Sequence, residues 1–471
     1  MKQNKTVPFQ ISSLLVSLSL VSSLMASKYV CASENTSPNS ESTANATKTI
    51  ENKVDDATTL TEEWAIHGQI TNITQKHASF TSPYRGQQSL SPSGRMEETT
   101  DITLFLGRRL WKDAEIWINP EIDQGHGFND TLGVAGFPNG GAYKVGANLP
   151  YLRFPRLFIR QTSSLGGEET TVESSANQLA NTNTANNLAI TGGKFAVTDI
   201  FDTNSYAHDP RADFLNWSVL DGGTYDYAAD AWGFTWGGAV EWTQDWWTLR
   251  AGFFQLSPIP NGKITRIHFS GNSSNIEFEA RHTVVGHPGK IKFLAWLNQG
   301  NMGSYADAIT LARQTNTTPD VSQVRQFSSR PGAVLNIEQE LSEAMGAFVR
   351  LSANRGNKET YEFTDINQSV AAGLSIKGDA WRRREDIIGV AIVENRISSD
   401  ARAYFAAGGL GVLIGDGRLT YAPEKIAELY YACQLRPNIS LTFDYQHITN
   451  PAYNQDRGPV SVYGTRVHAS F

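Results

Sequence analysis

From Trp64 onward the chain is a succession of short segments in which apolar and polar residues alternate, and no apolar run there reaches the roughly eighteen residues of a membrane-crossing helix. A period of two puts successive side chains on opposite faces of a strand. In 232–243 one face carries Trp232, Phe234, Trp236, Val240 and Trp242, and the other Gly233, Thr235, Gly237, Ala239, Glu241 and Thr243. Residues 439–446 repeat the arrangement, with Ile439, Leu441, Phe443 and Tyr445 against Ser440, Thr442, Asp444 and Gln446. A strand of a soluble sandwich alternates in the same way, so one segment does not separate a sandwich from a barrel.

The number and spacing of the segments separate them. Candidate strands fall at 64–75, 99–110, 113–122, 151–162, 187–196, 231–243, 246–256, 274–285, 289–300, 331–341, 344–355, 368–377, 386–396, 425–436, 438–448 and 460–471. An all-β, transmembrane antiparallel barrel of about sixteen strands returns its C-terminus to the side of its N-terminus and makes every second connection short. Tight links are expected at Lys112, Gln244–Asp245, Gly286–Pro288, Ser342–Glu343 and Pro437, with long loops at 123–150, 197–230, 301–330 and 397–424. The stretch 163–186, rich in Asn, Thr and Glu, falls where a short turn is due, and reads either as a periplasmic insertion or as an error in the strand count.

The final segment alternates back from Phe471. Ala469, Val467, Thr465 and Tyr463 share its face, and Ser470, His468, Arg466 and Gly464 the other. A terminal aromatic closing such a strand looks like the end that outer-membrane assembly machinery recognises. The mean hydropathy of −0.34 is compatible with this, because barrel strands are only half apolar.

Ahead of the barrel, residues 1–32 read as a cleaved signal peptide: Lys2 and Lys5, an apolar stretch from Val7 to Leu24, and a small-residue site at Val30-Cys31-Ala32. Residues 33–63 read as a flexible low-complexity leader, since Ser, Asn, Thr and Glu bury too little surface to offset chain entropy. Loss of Lys2, Lys5 and Lys28 takes the formal charge from −7 to −10, which argues against nucleic acid as a partner. Cys433 is left without a partner once Cys31 departs, so no internal disulfide supports the fold. GxSxG, HExxH and GxxxxGK[ST] are absent, and no catalytic residue, metal site or cofactor is expected.

Several stretches in order resemble the carbohydrate-selective porins of the OprB type. They are HGQITNITQKH at 67–77, SPYRG at 82–86, LFLGRRLW at 104–111, NPEIDQGHGFNDTLGVAGFPNG at 119–140, RLFIRQT at 156–162 and DIFDTNSYAHDPRADFLNWS at 199–218. The resemblance spans Trp64 to Phe471 and implies an outer-membrane barrel with a narrowed pore through which sugars diffuse down their gradient. It implies carbohydrate solutes, outer-membrane lipids and the assembly machinery as partners, and leaves the oligomeric state open, a homo-oligomer included. Neither 33–58 nor 163–186 matches the family pattern. The competing readings are a secreted all-β carbohydrate-active enzyme or lectin, a structural or adhesive barrel, and a general non-selective porin.

Sugar passage needs polar groups that replace water around hydroxyls and aromatic faces along which a ring slides. By strand phase Arg156, Arg160, Arg250, Arg281 and Arg350 face the lumen, as do Glu115, Glu121, Glu277, Glu279 and Asp444. The bland reading of each is an ordinary solvated wall charge. The loop after the fifth strand, with Asp199, Asp202, Asn204, Asp209, Arg211, Asp213 and Asn216, exceeds the length at which loops are structurally silent, and folded inward it would narrow the channel. A loop packed on the barrel rim is the alternative.

Overall fold

The computed structural model describes residues 61–142, 146–363 and 365–471, so the signal peptide and nearly all of the leader expected from the sequence lie outside the described residues. Sixteen strands follow one another: β1 (Trp64–His77), β2 (Arg95–Trp111), β3 (Ala114–Gly125), β4 (Ala147–Val172), β5 (Asn181–Phe195), β6 (Thr235–Gln244), β7 (Trp247–Gln255) and β8 (Asn272–Val284). The second half comprises β9 (His287–Met302), β10 (Gln326–Ser342), β11 (Met345–Asn354), β12 (Gln368–Gly378), β13 (Arg383–Arg396), β14 (Glu424–Arg436), β15 (Ile439–Thr449) and β16 (Val460–Ser470). Each pairs antiparallel with the next, and β1 pairs with β16, for example Asn72 with Val467, to close the barrel. Closure pairs every strand's backbone polar groups, the condition for crossing hydrocarbon without a helix.

The alternation sorts the two faces. Leu374, Val390 and Leu429 sit side by side across β12, β13 and β14 and point outward, exposed. Thr103, Glu121, Glu277, Asn336, Arg350, Glu428 and Arg466 point inward and are buried. Exposed aromatics mark both ends of the outer surface: Trp64, Trp111 and Trp246 beside the short turns, Phe253 and Phe327 beside the long loops. An apolar band between aromatic girdles is the surface of a membrane-spanning barrel.

One strand starts later than its pattern suggests. Trp232 and Phe234 share a phase with Trp236 and Val240, yet β6 begins at Thr235. Asp230 accepts from the Trp232 and Phe234 amides at 2.9 and 3.3 Å and holds them in a turn, and Phe234 is buried. The expectation that Trp232 and Phe234 face lipid is corrected, since strand phase carries no meaning once the chain leaves the ladder.

The short links fall at 112–113, 245–246, 285–286, 343–344, 379–382 and 437–438. Between β4 and β5 the strands instead run on as a ribbon to Val172 and back from Asn181, so the insertion reading of 163–186 holds and the count of sixteen stands. Register shifts at Ser164/Gly166 and Gly166/Glu169, with Gly166 and Gly167 at φ +95° and +94°, bend this ribbon.

At the seam the Gly68 and Phe471 backbones exchange hydrogen bonds of 3.0 and 2.9 Å. A Cβ on Gly68 would lie 2.3 Å from the Phe471 ring, so the glycine makes room for the terminal aromatic. Deleting Phe471 removes both bonds at the closing pair, a loss of about 1–3 kcal/mol. The fraction of heat-modifiable, folded band on unheated gels is expected to fall well below that of a 33–58 deletion; equal yields would show that the terminal residue carries no assembly signal.

Candidate functional site

The connection between β5 and β6, residues 196–234, turns into the barrel and bonds to inward side chains around its circumference. A turn of 3-10 helix at Val197–Asp199 starts it, and a short helix α1 (Trp217–Leu220), capped by Asn216 accepting from the Ser218 amide at 3.0 Å, sits midway.

Wall side chains from several strands hold the loop. Asp202 accepts from Asn336 on β10 at 2.7 Å and from the Gly222 amide at 2.5 Å, and its own amide donates to Glu277 on β8 at 2.8 Å. Arg350 on β11 reaches the Asp202 carboxylate at 3.4 Å and donates to the carbonyls of Asp202 and Val219 at 3.0 and 2.6 Å. Across the lumen, Glu428 on β14 accepts from the Leu215 and Asn216 amides at 2.5 and 3.1 Å, and Asn216 donates to Gln446 on β15 at 3.0 Å. Arg466 on β16 donates to the carbonyls of Pro210, Ala212 and Asp213 at 2.6–2.8 Å. A buried loop must satisfy its backbone somewhere, and here the wall supplies the partners. Asn204 donates to Asn336 at 2.8 Å, and Arg211 donates to Asp101 on β2 at 3.0 Å while Asp209 stays half exposed. Burial pushes the loop carboxyls of Asp213 and Asp221 above the ordinary aspartate value; His208 lies 3.5 Å from Asp221 and pulls the other way.

The loop leaves space on one side, against β4 and β5. A cavity of about 460 Å³ there is lined by Arg156, Phe158, Arg160 and Thr191 from the wall, and by Asp199, Arg211, Trp217, Tyr227 and Phe234 from the loop. Arg156 holds Asp199 in a two-pronged pair at 2.6 and 2.8 Å. The guanidinium carbons of Arg153 and Arg156 each lie 5.0 Å from the centre of the Phe234 ring, within cation–π range. Arg153 also bonds Glu121 and Asp123, and Arg160 bonds Glu115. Behind the lining residue Trp217, aromatic planes back the cavity, with Phe137 stacked on Trp217 at 5.0 Å and Trp217 on Phe363 at 4.8 Å.

The inward residues read from strand phase therefore divide by position. Arg156 and Arg160 border the cavity; on β3 Glu115 lies opposite Arg160, and Glu121 opposite Arg153. Arg250 joins Glu241, Glu277 and Glu279 at 2.8–3.0 Å in a network on β6–β8, and Arg281 bonds Glu279 and the Gln244 and Trp247 carbonyls at that wall's short-turn end. Five depart from the expectation of solute contact: Arg350, Glu121, Glu277, Glu279 and Asp444 point inward but are only 1–5% exposed, with Asp202 of the loop lying against Arg350 and Glu277. Strand phase misses Arg153: Pro120 and Pro155 sit at a register shift between β3 and β4, which brings Arg153 and Arg156, three apart, to the same face. A proline inside each strand pattern was the available signal.

A family model described as "Carbohydrate-selective porin, OprB family" matches residues 87–471. Among solved structures, the high-pH structure of Pseudomonas putida OprB aligns with a TM-score of 0.66 at 15% identity, covering 87% of this chain and 94% of that one. Porin AaxA of Chlamydia abortus is 22% identical over 286 residues, 60% of this chain and 54% of that protein. Porin AaxA of Chlamydia felis is 20% identical over 284 residues, 60% of this chain and 54% of its own. The chain spans about half the length of these curated relatives. The structural likeness speaks for the fold, and the family match, which covers most of the barrel and the inward loop, speaks for descent: the chain belongs to the OprB family of carbohydrate-selective porins.

Proposed function

We propose that the chain is an exported outer-membrane porin, its signal peptide cleaved, through which small sugars diffuse passively and without a catalytic step. The observation that carries this is the off-centre cavity between the inward loop and β4–β5, where arginines and aromatic faces meet in one space. Its volume lies within the roughly 300–1,000 Å³ typical of small-molecule sites. Guanidinium donors suit sugar hydroxyls, and aromatic planes suit the apolar face of a pyranose. In this reading Arg156 and Arg160 meet the solute, Arg350 supports the loop directly and Asp444 through Gln446, and Arg250, Arg281, Glu277 and Glu279 stiffen the adjoining wall on β6–β8. Asp199, Asp202, Asn204, Asp209, Arg211 and Asn216 make the loop that narrows the passage.

Liposome swelling with sugars of graded size, beside planar-bilayer conductance, tests the reading. Stepwise conductance with monosaccharides passing faster than neutral solutes of equal size is the expected result. Equal rates at equal size would make it a general porin, and no permeation at all would remove the channel function. Each arginine bond to a neutral hydroxyl contributes about 0.5–1.5 kcal/mol, so Arg156→Gln with Arg160→Gln is expected to slow glucose flux roughly two- to tenfold. It also leaves Asp199 and Glu115 uncompensated, so the ion ratio moves toward cations. An unchanged flux and ion ratio would return both residues to ordinary wall charges.

A further inference from the structure

The tip of the Asn/Thr-rich ribbon between β4 and β5, residues 173–180, bonds to the inner wall of the barrel. Leu179, fully buried, donates its amide to Glu115 at 2.9 Å. Arg160 donates to the Asn177 carbonyl and Arg109 to the Ala180 carbonyl, the latter at 2.9 Å. Glu62, just ahead of β1, accepts from the Ala180 amide at 2.8 Å, and Ser174 meets His67 at 3.1 Å. Four of these partners, Glu115, Arg160, Arg109 and His67, belong to the strand ends beside the short turns of β1–β4. The positive-φ pair Gly166–Gly167 supplies the bend, in a conformation that other residues rarely adopt.

The cavity described above is bounded by this tip as well as by the inward loop. Ala176, Asn177 and Gln178 line it together with Arg156, Asp199 and Phe234. β4 runs from the long-loop end to the short-turn end, so Arg156 with Asp199 lies nearer the outside and Arg160 with Asn177 nearer the periplasm. The space is thus a chamber with the loop at one level and the ribbon tip below it.

We propose that the ribbon tip is a second constriction in series with the inward loop, a selectivity element at the periplasmic exit. Its amides and backbone carbonyls present neutral donors and acceptors where the solute leaves, so it passes hydroxylated, uncharged molecules and limits their size. Its charged partners, Arg160 and Glu115, are turned toward each other and toward the tip's backbone. This inference rests on the channel reading of the preceding subsection.

Ser163 and Leu188 are direct cross-strand partners, so 164–187 can be replaced by an Asn-Gly hairpin turn. Two comparable constrictions in series act as added resistances, and removing one is expected to raise single-channel conductance about twofold and to admit larger sugars in swelling assays. A second variant leaves the ribbon intact: Asn177→Cys in a Cys433→Ser background, treated with a bulky maleimide from the periplasmic side, is expected to lose most of its conductance and sugar flux. Unchanged conductance in the shortened barrel, or unchanged current through labelled Asn177→Cys, overturns the proposal. If shortening prevents assembly, the labelling result decides by itself. A parent protein that passes neither ions nor sugars would instead remove the channel reading, an outcome distinct from a conducting parent that labelling leaves untouched.

Discussion

Val390→Arg is expected to abolish assembly in a bilayer. Val390 lies at the middle of β13 and faces outward between Leu374 and Leu429, so an arginine there meets hydrocarbon on all sides at a cost of about 2–4 kcal/mol near the midplane. Folding into liposomes, followed by the heat-modifiable gel shift, measures it. The matching control is Asn183→Arg, on the ribbon and partly exposed to water instead of lipid, which is expected to assemble normally. Equal damage at the two positions would mean that Val390 is not in contact with lipid, and the membrane assignment of the outer face would fall.

Arg350→Met is expected to release the inward loop without unfolding the barrel. The Arg350–Asp202 pair is 1% and 0% exposed, and breaking a buried pair by removing one partner costs about 3–5 kcal/mol, because the remaining charge is left uncompensated. Here the Gly222 amide and Asn336 still donate to Asp202, which places the loss toward the lower end. The Val219 carbonyl loses its donor as well, while the Asp202 carbonyl keeps Asn336 at 3.2 Å. Limited proteolysis within 196–234, larger and noisier conductance, and an unchanged gel shift are the expected signs. Adding Asp202→Asn removes the stranded charge and is expected to restore part of the protease resistance. Wild-type resistance and conductance in the single variant would show that the remaining wall partners of the loop, among them Glu277, Asn336, Glu338, Glu428 and Arg466, hold it without Arg350.

The strand order, the strand number and the direction of nearly every side chain on the wall were legible in the sequence. Period-two alternation repeats along β15 and β16, and the tight links at Lys112, Ser342–Glu343 and Pro437 lie within a residue or two of the observed turns. These are local properties: a residue's side of a strand depends only on its phase, and a short turn on the few residues that make it. The length of the 196–234 connection also signalled a loop with a task. Where local phase broke down, reading from sequence failed with it. Phe234 continues the apolar phase of β6, but the Asp230 turn carries it inside, and Arg153 joined the site through a shift at two prolines.

The barrel and its two faces therefore follow from residue order alone, because alternation, turn chemistry and the bilayer all act on neighbours in the chain. Which inward charges are open to a solute and which are covered depends on the folded loops. Arg156 and Arg350 have the same strand phase logic and the same chemistry, yet one borders the cavity and the other is sealed beneath Asp202, 148 residues away along the chain. That choice, like the return of the 173–180 tip to Glu115 and Arg160, is made by contacts between segments far apart in sequence. Such contacts depend on where the closed barrel places distant strands, and no local pattern encodes that.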